Sequence, residues 1–128
     1  MGERRKGGRI MGYVYLIHKE NSDRYKIGVT RKSPKESKRL KGLQTGNDEK
    51  LSIIHAFPTE IPFKVEAIIH RMWKSKKYIP EDFKDMKGEW FKLSQQDVGR
   101  FILECTKIEN NIYLLEEKST YFKPNKHI

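Results

Sequence analysis

Cysteine and long apolar runs are nearly absent from this chain of 128 residues. Cys105 is the only cysteine, which excludes an intramolecular disulfide and any metal or redox site built on a Cys-x-x-Cys motif. A chain without disulfides suits a reducing compartment, so we expect a cytoplasmic protein, or a nuclear one if the host is eukaryotic. No apolar run reaches the roughly 20 residues of a membrane-spanning helix, and we expect no membrane partner.

The amino-terminal segment lacks the hydrophobic region of a secretory signal. Its sequence, MGERRKGGRI, is basic and rich in glycine, with no apolar stretch behind it. We therefore predict a disordered basic arm over residues 1–10, one domain over 11–108 and a carboxy-terminal extension over 109–128.

Acidic residues are scarce relative to basic ones. The chain has 27 lysines and arginines against 17 aspartates and glutamates, a net charge of +10. This balance favours a polyanionic partner, because phosphate contacts release counterions and so drive binding. An acidic membrane surface is the competing interpretation, but no long basic amphipathic helix with a broad aromatic face is present to support it.

Two segments near the start of the chain have the pattern of a β-hairpin. Residues 12–18 alternate with a period of two, so that Tyr13, Tyr15 and Ile17 share one face of a strand. Residues 24–30 repeat this character after a polar turn of about five residues. A third strand is expected at 51–57, and a short extended piece at 89–93.

Helical signals occur between and after these strands. Helices are expected at 34–44, 62–75 and 95–108. Ser33 with Glu36 forms a capping box for the first helix, and Ser94 with Asp97 caps the last. The order predicts an α+β fold with a small, mainly antiparallel three-stranded sheet flanked by helices.

Several short motifs follow one another in an order that identifies a family. They are YVY at 13–15, KIG at 26–28, RLKGLQTGN at 39–47, EAIIH at 66–70 and GEWF at 88–91. Together they resemble the GIY-YIG endonuclease family, most closely its phage- and virus-associated branch. Residues 12–93 carry this resemblance, which also implies a phage or mobile-element origin.

The resemblance implies a set of catalytic residues. The tyrosine of the first family motif falls on Tyr15, and the helix arginine falls on Arg39. The metal-binding carboxylate falls on Glu66, which implies one Mg²⁺ or Mn²⁺ ion. Lys26 occupies the position of the second motif's tyrosine, a departure that some family members share. The asparagine that some relatives carry late in the domain has no counterpart here.

These residue types suit phosphodiester hydrolysis, which needs an activated water and charge stabilisation at the phosphate. Arg39 can pair with phosphate oxygens. A tyrosine has an ordinary pKa of about 10, so the hypothesis that Tyr15 is the general base needs a nearby cation. Lys26 can lower the pKa of Tyr15 or act through a water. His70 is either a surface histidine bonded to Glu66 or a catalytic group beside it.

A cluster of basic residues surrounds the arginine motif, and we predict that it contacts DNA. Its members are Arg31, Lys32, Lys35, Lys38 and Lys41. A merely solvated basic face is the alternative.

The predicted function is metal-dependent cleavage of DNA, with RNA not excluded. A monomer would nick one strand, whereas a homodimer would make a double-strand cut. The alternative is a nucleic-acid-binding module with a degenerate site. Divalent-metal dependence separates the two.

Overall fold

The computed structural model of the chain describes residues 10–32, 50–78 and 90–126, with side chains described as far as residue 117. The predicted helix at 34–44 lies outside the described residues, as does the predicted amino-terminal arm apart from Ile10.

An antiparallel sheet forms the centre of the fold and confirms the α+β class. Within the described residues its order is β3-β1-β2-β5-β4, which is five strands where the sequence predicted three. The strands are β1 Gly12–Lys19, β2 Arg24–Thr30, β3 Leu51–Thr59, β4 Lys77–Tyr78 and β5 Trp90–Lys92. Strand β5 corresponds to the extended piece expected at 89–93. Strand β4 was not predicted, because two residues in a lysine-rich run show no period.

The hairpin of β1 and β2 has the predicted alternation. Tyr15 lies opposite Gly28, and Ile17 lies opposite Lys26. The turn between the strands places Asn21 at a φ of 61°, a left-handed conformation that asparagine tolerates better than most residues. The hairpin therefore fixes which side chains of β1 and β2 share a face.

The two faces of the sheet differ in character. One face, the core face, carries Val14, Leu16 and Ile27 into the main hydrophobic cluster. The other, the site face, carries Tyr15, Ile17 and Lys26, because directly opposed residues of an antiparallel pair point to the same side.

Three helices of the described residues contribute side chains to the core face. Helix α1, Pro62–Met72, ends earlier than the predicted 75, and a 3₁₀ turn at Lys74–Lys76 completes the segment. The segment predicted as one helix at 95–108 divides into α2, Gln95–Gly99, and α3, Phe101–Lys126. The division follows Gly99, since glycine is a poor helix former. Among the described residues no helix is both long and apolar enough to cross a membrane.

The single cysteine lies on the core side of α3. Cys105 is fully buried in the main cluster. Burial raises the pKa of the Cys105 thiol to about 12, and the negative charges of Glu104 and Glu109 add to the effect. The thiol is therefore protonated at neutral pH and acts as a core residue.

Helix α3 continues through the predicted domain boundary at residue 108 and remains packed beyond it. Glu109, only 5% exposed, accepts a hydrogen bond of 2.6 Å from the Thr59 hydroxyl. That hydroxyl accepts in turn from the backbone N–H of Ile61, at 3.1 Å, directly before α1. Ile112 is buried in the core one turn later. The boundary itself stays a prediction, although no break in α3 marks it.

We predict that residues 109–117 contribute to folding. A chain ending at 108 loses the acceptor for Thr59 and the buried side chain of Ile112, so its free energy of unfolding should fall by more than about 2 kcal/mol. A chain ending at 117 keeps both and serves as the control. Urea denaturation measures the difference, and equal stability of the two truncated chains would contradict the prediction.

A second prediction concerns the start of α2. Burial alone would raise the pKa of Asp97, but hydrogen bonds with Ser94 and the ammonium of Lys76, 3.3 Å away, outweigh it and lower this pKa. A carboxylate with a lowered folded-state pKa stabilises the fold above its unfolded pKa, and loses this contribution as the pH falls through the folded value. Asp97→Asn should therefore destabilise by about 0.5–1 kcal/mol at pH 7 and progressively less toward pH 3. Chemical denaturation across this range measures the difference. Glu117→Gln is the exposed control, and a pH-independent cost of Asp97→Asn would contradict the assignment.

Candidate functional site

The ring of Tyr15 crosses directly over Gly28 on the site face. A Cβ atom at position 28 would lie 2.2 Å from the Tyr15 hydroxyl oxygen and 2.5 Å from Cζ. No side chain fits at that distance, so glycine is required here by space. Tyr15 is only 1% exposed and packs with Ile17 and Leu51. The YVY and KIG motifs are thus one structural unit, because the glycine of the second makes room for the tyrosine of the first.

Lys26 lies on the same face, diagonally across the hairpin from Tyr15. It is two residues from Gly28 and directly opposite Ile17. Diagonal neighbours in an antiparallel pair lie about 7–8 Å apart at their backbones, within reach of a lysine side chain. Lys26 Nζ also lies 5.9 Å from the ring centroid of Trp90 on β5. The structure therefore brings the predicted Tyr15 and Lys26 together on one face.

His70 of α1 is anchored to the edge of β2 through a backbone carbonyl. Its Nε2 lies 3.0 Å from the carbonyl oxygen of Ile27. Leu93 N–H donates to the carbonyl of Asp23 on the β5 side of β2. Because carbonyl direction alternates along a strand, the Ile27 carbonyl points to that same side. Within the described residues the β2–β5 ladder ends at Lys26, so His70 meets Ile27 just beyond it.

This anchoring determines which ring nitrogen of His70 carries a hydrogen. A carbonyl oxygen only accepts, so Nε2 carries a hydrogen and donates it to Ile27. The edge of the ring packs against the face of Phe91, with centroids 5.1 Å apart at 89°. His70 is thus held in one orientation.

Glu66 lies one helical turn before His70, as the spacing of four residues predicted. Its Oε2 is 3.9 Å from His70 Nε2, and the two side chains are 28% and 21% exposed. This distance suits electrostatic attraction and exceeds that of a hydrogen bond. The simple interpretation of His70 as bonded to Glu66 is therefore incomplete, since Ile27 is its closer partner.

The carboxylate of Glu66 is the candidate ligand for the implied metal ion. The described residues contain no group of three or more histidine, cysteine, aspartate or glutamate side chains that could hold a metal. Mg²⁺ commonly takes only one or two protein carboxylates and completes its coordination with water and phosphate oxygens. A partly exposed, hard oxygen donor fits that requirement.

The other predicted residues divide into two groups. Arg31 and Lys32 are exposed directly after β2. Arg39 lies outside the described residues, as do the remaining basic residues of the cluster, Lys35, Lys38 and Lys41.

Trp90 joins the site face, which sequence reasoning missed. The GEWF motif entered the sequence analysis only as a family motif, and its Phe91 is buried on the core face. Trp90 is only partly buried and packs against the cluster of Tyr15, Ile17 and Leu51. The strand period could have shown that Trp90 and Phe91 lie on opposite faces, because adjacent residues of a strand point to opposite sides of the sheet.

Comparison with known proteins gives a family match. The model of the T5orf172 domain matches residues 12–107. This is a phage-associated domain related to GIY-YIG and HNH-like nucleases, and it indicates a nuclease-like or nucleic-acid-binding role with DNA as the partner. No curated protein matches the chain. No solved structure matches it either.

We predict a large energetic coupling between positions 15 and 28. Gly28→Ala should lower the free energy of unfolding by about 1–3 kcal/mol, because the new methyl group overlaps the tyrosine ring. In a Tyr15→Ala background the methyl group fits, so the same substitution should cost much less. Urea denaturation of the four chains of this double-mutant cycle measures the coupling.

Gly99→Ala is the matched control, since a Cβ at position 99 meets no atom within 4 Å. It should be neutral or slightly stabilising. An equal cost of Gly28→Ala in both backgrounds would show that the tyrosine ring is not what excludes a side chain at 28.

Proposed function

The chain belongs to the T5orf172 domain family, and from that premise we propose that it is a divalent-metal-dependent endonuclease of the GIY-YIG type acting on DNA. The observation that carries the proposal is the passage of the Tyr15 ring over Gly28, with Lys26 beside it on the same face. This arrangement holds the Tyr15 hydroxyl at a fixed position above the backbone of Gly28.

In the proposed reaction Tyr15 acts on the attacking water. Its phenolic oxygen accepts a proton from the water as the water oxygen attacks the phosphorus atom. Lys26 provides positive charge on the same face of the hairpin. Arg39 binds the phosphate oxygens and stabilises the additional negative charge of the transition state.

Glu66 and His70 form the second half of the site. Glu66 would hold a single Mg²⁺ or Mn²⁺ ion, which when bound supplies positive charge at the phosphate and the departing oxygen. His70, held by Ile27 and Phe91, keeps its Nε2 proton near the Glu66 carboxylate. Its proposed role is to orient that carboxylate.

The basic surface is proposed to hold the DNA in place. Arg31 and Lys32 directly follow β2, three and four residues beyond Gly28. Lysines and arginines at such positions neutralise backbone phosphates without reading sequence. One site per chain predicts nicking by a monomer, and a clean double-strand cut would indicate a homodimer.

A second candidate function is nucleic-acid binding without cleavage. The observation that favours it is the pairing of cations with aromatic rings at the site face, where Lys19 and Lys26 both lie within 6 Å of the Trp90 ring centre. Such a surface binds nucleic acid whether or not the site cuts. Binding of this kind survives a chelator, whereas metal-dependent cleavage does not.

We predict that purified protein relaxes supercoiled plasmid in the presence of Mg²⁺ and that chelator abolishes the activity. Glu66→Gln should lower the rate by at least about 100-fold through loss of a metal ligand, and Tyr15→Phe should do so through loss of the base. Phenylalanine keeps the ring over Gly28, so the fold should be retained. Gel electrophoresis over time gives the rates.

The matched controls are Tyr13→Phe, on the same strand face, and Glu117→Gln, an exposed carboxylate on α3. Both should cleave like the wild type. Full cleavage activity of the Tyr15→Phe variant would exclude Tyr15 as the general base. Absence of cleavage by the wild type with Mg²⁺ or Mn²⁺, together with retarded bands in the presence of chelator, would favour the binding module.

A further inference from the structure

At one end of the site face, positively charged side chains lie over each of two aromatic rings. The ammonium groups of Lys19 and Lys26 lie 5.8 and 5.9 Å from the ring centroid of Trp90. The guanidinium of Arg24 lies 4.1 Å from the ring centroid of Tyr78. These five residues form what we call the Trp90 platform.

Strand register explains why the platform is a single surface. Lys26 of β2 pairs with Trp90 of β5, and Trp90 pairs with Tyr78 of β4. Directly opposed residues of an antiparallel pair share a face, so the two rings and Lys26 all lie on the site face. Arg24 is two residues from Lys26 and therefore also points there.

The platform is continuous with the candidate site. Trp90 packs against the cluster formed by Tyr15, Ile17 and Leu51. Trp90, Tyr78 and the three cations are all partly buried, so each keeps some surface exposed to solvent. A group stacked on the Trp90 ring would consequently lie beside the residues assigned to catalysis.

Charge and aromatic surface together specify what this platform binds. A contact between a cation and an exposed ring is weak, and it is weaker than the stacking of a nucleobase on the same ring. A base can therefore displace the flexible lysine ammonium from the ring face. The displaced ammonium stays close enough to pair with the adjoining phosphate. A ring with cations beside it thus matches the alternation of base and phosphate in one strand of nucleic acid.

We propose that the Trp90 platform binds unpaired nucleotides, and that the candidate site consequently acts on DNA that contains a single-stranded segment. Bases inside a duplex have both faces covered by their neighbours and cannot stack on a protein ring. This inference rests on the proposed function and narrows its substrate class. Stacking is tolerant of base identity, so the expected preference is for strandedness over sequence.

Trp90 provides a direct optical test of the proposal. The chain has two tryptophans, and Trp73 is buried in the main cluster. In a Trp73→Phe variant the fluorescence therefore comes from Trp90 alone. Titration in the presence of chelator, which prevents cleavage, should show quenching by a single-stranded DNA oligonucleotide. A duplex of the same sequence should require at least about tenfold higher concentration for the same effect.

Variants of the platform separate stacking from charge. Tyr78→Ala and Trp90→Phe should each weaken binding of single-stranded DNA about 5- to 50-fold, with little effect on duplex binding. Lys19→Gln should reduce the slope of log affinity against log salt by about 0.7 for single strands. Lys107→Gln removes an exposed lysine from α3 and should leave affinity and slope unchanged. Thermal unfolding confirms that each variant is folded.

The outcomes distinguish this proposal from the proposed function. Equal affinity for duplex and single strand, without quenching of Trp90, would overturn the platform even if the plasmid is cut. Quenching and single-strand preference without cleavage under any metal would support binding of unpaired nucleotides by the Trp90 platform. The same result would exclude the proposed nuclease activity. If Tyr78→Ala and Trp90→Phe both bind single-stranded DNA like the wild type, the proposal that the Trp90 platform binds unpaired nucleotides is also overturned.

Discussion

The passage of the Tyr15 ring over Gly28 is the contact on which the candidate site depends. It sets the register of β1 against β2, because a slip by one residue would place a side chain where only glycine fits. Register in turn decides that Lys26 shares the face of Tyr15. One steric constraint therefore selects the strand pairing and assembles half of the proposed catalytic group.

The other half of the site depends on a backbone atom. His70 Nε2 lies 3.0 Å from the carbonyl oxygen of Ile27, one residue beyond the described β2–β5 pairs. The Glu66 carboxylate lies one helical turn away on the same face of α1. Sheet and helix meet at this edge, where residues from opposite sides of the sheet can approach each other.

Local patterns in the sequence predicted much of this arrangement. The period of two in residues 12–18 predicted the face shared by Tyr15 and Ile17, and Ser94 with Asp97 predicted the start of α2. The anchor at Ile27 could not be predicted, because every residue has a carbonyl and none of them is marked in the sequence. The full length of α3 was missed because its stabilising contacts, such as that of Glu109 with Thr59, are made to residues far away in the sequence.

Thr59 connects three elements through one hydroxyl group. It ends β3, donates to Glu109 of α3 and accepts from Ile61 at the start of α1. Since α1 carries Glu66, this hydroxyl connects the start of the helix that holds the candidate metal ligand to α3. The carboxy-terminal helix therefore helps to set where α1 begins, and through α1 the position of Glu66.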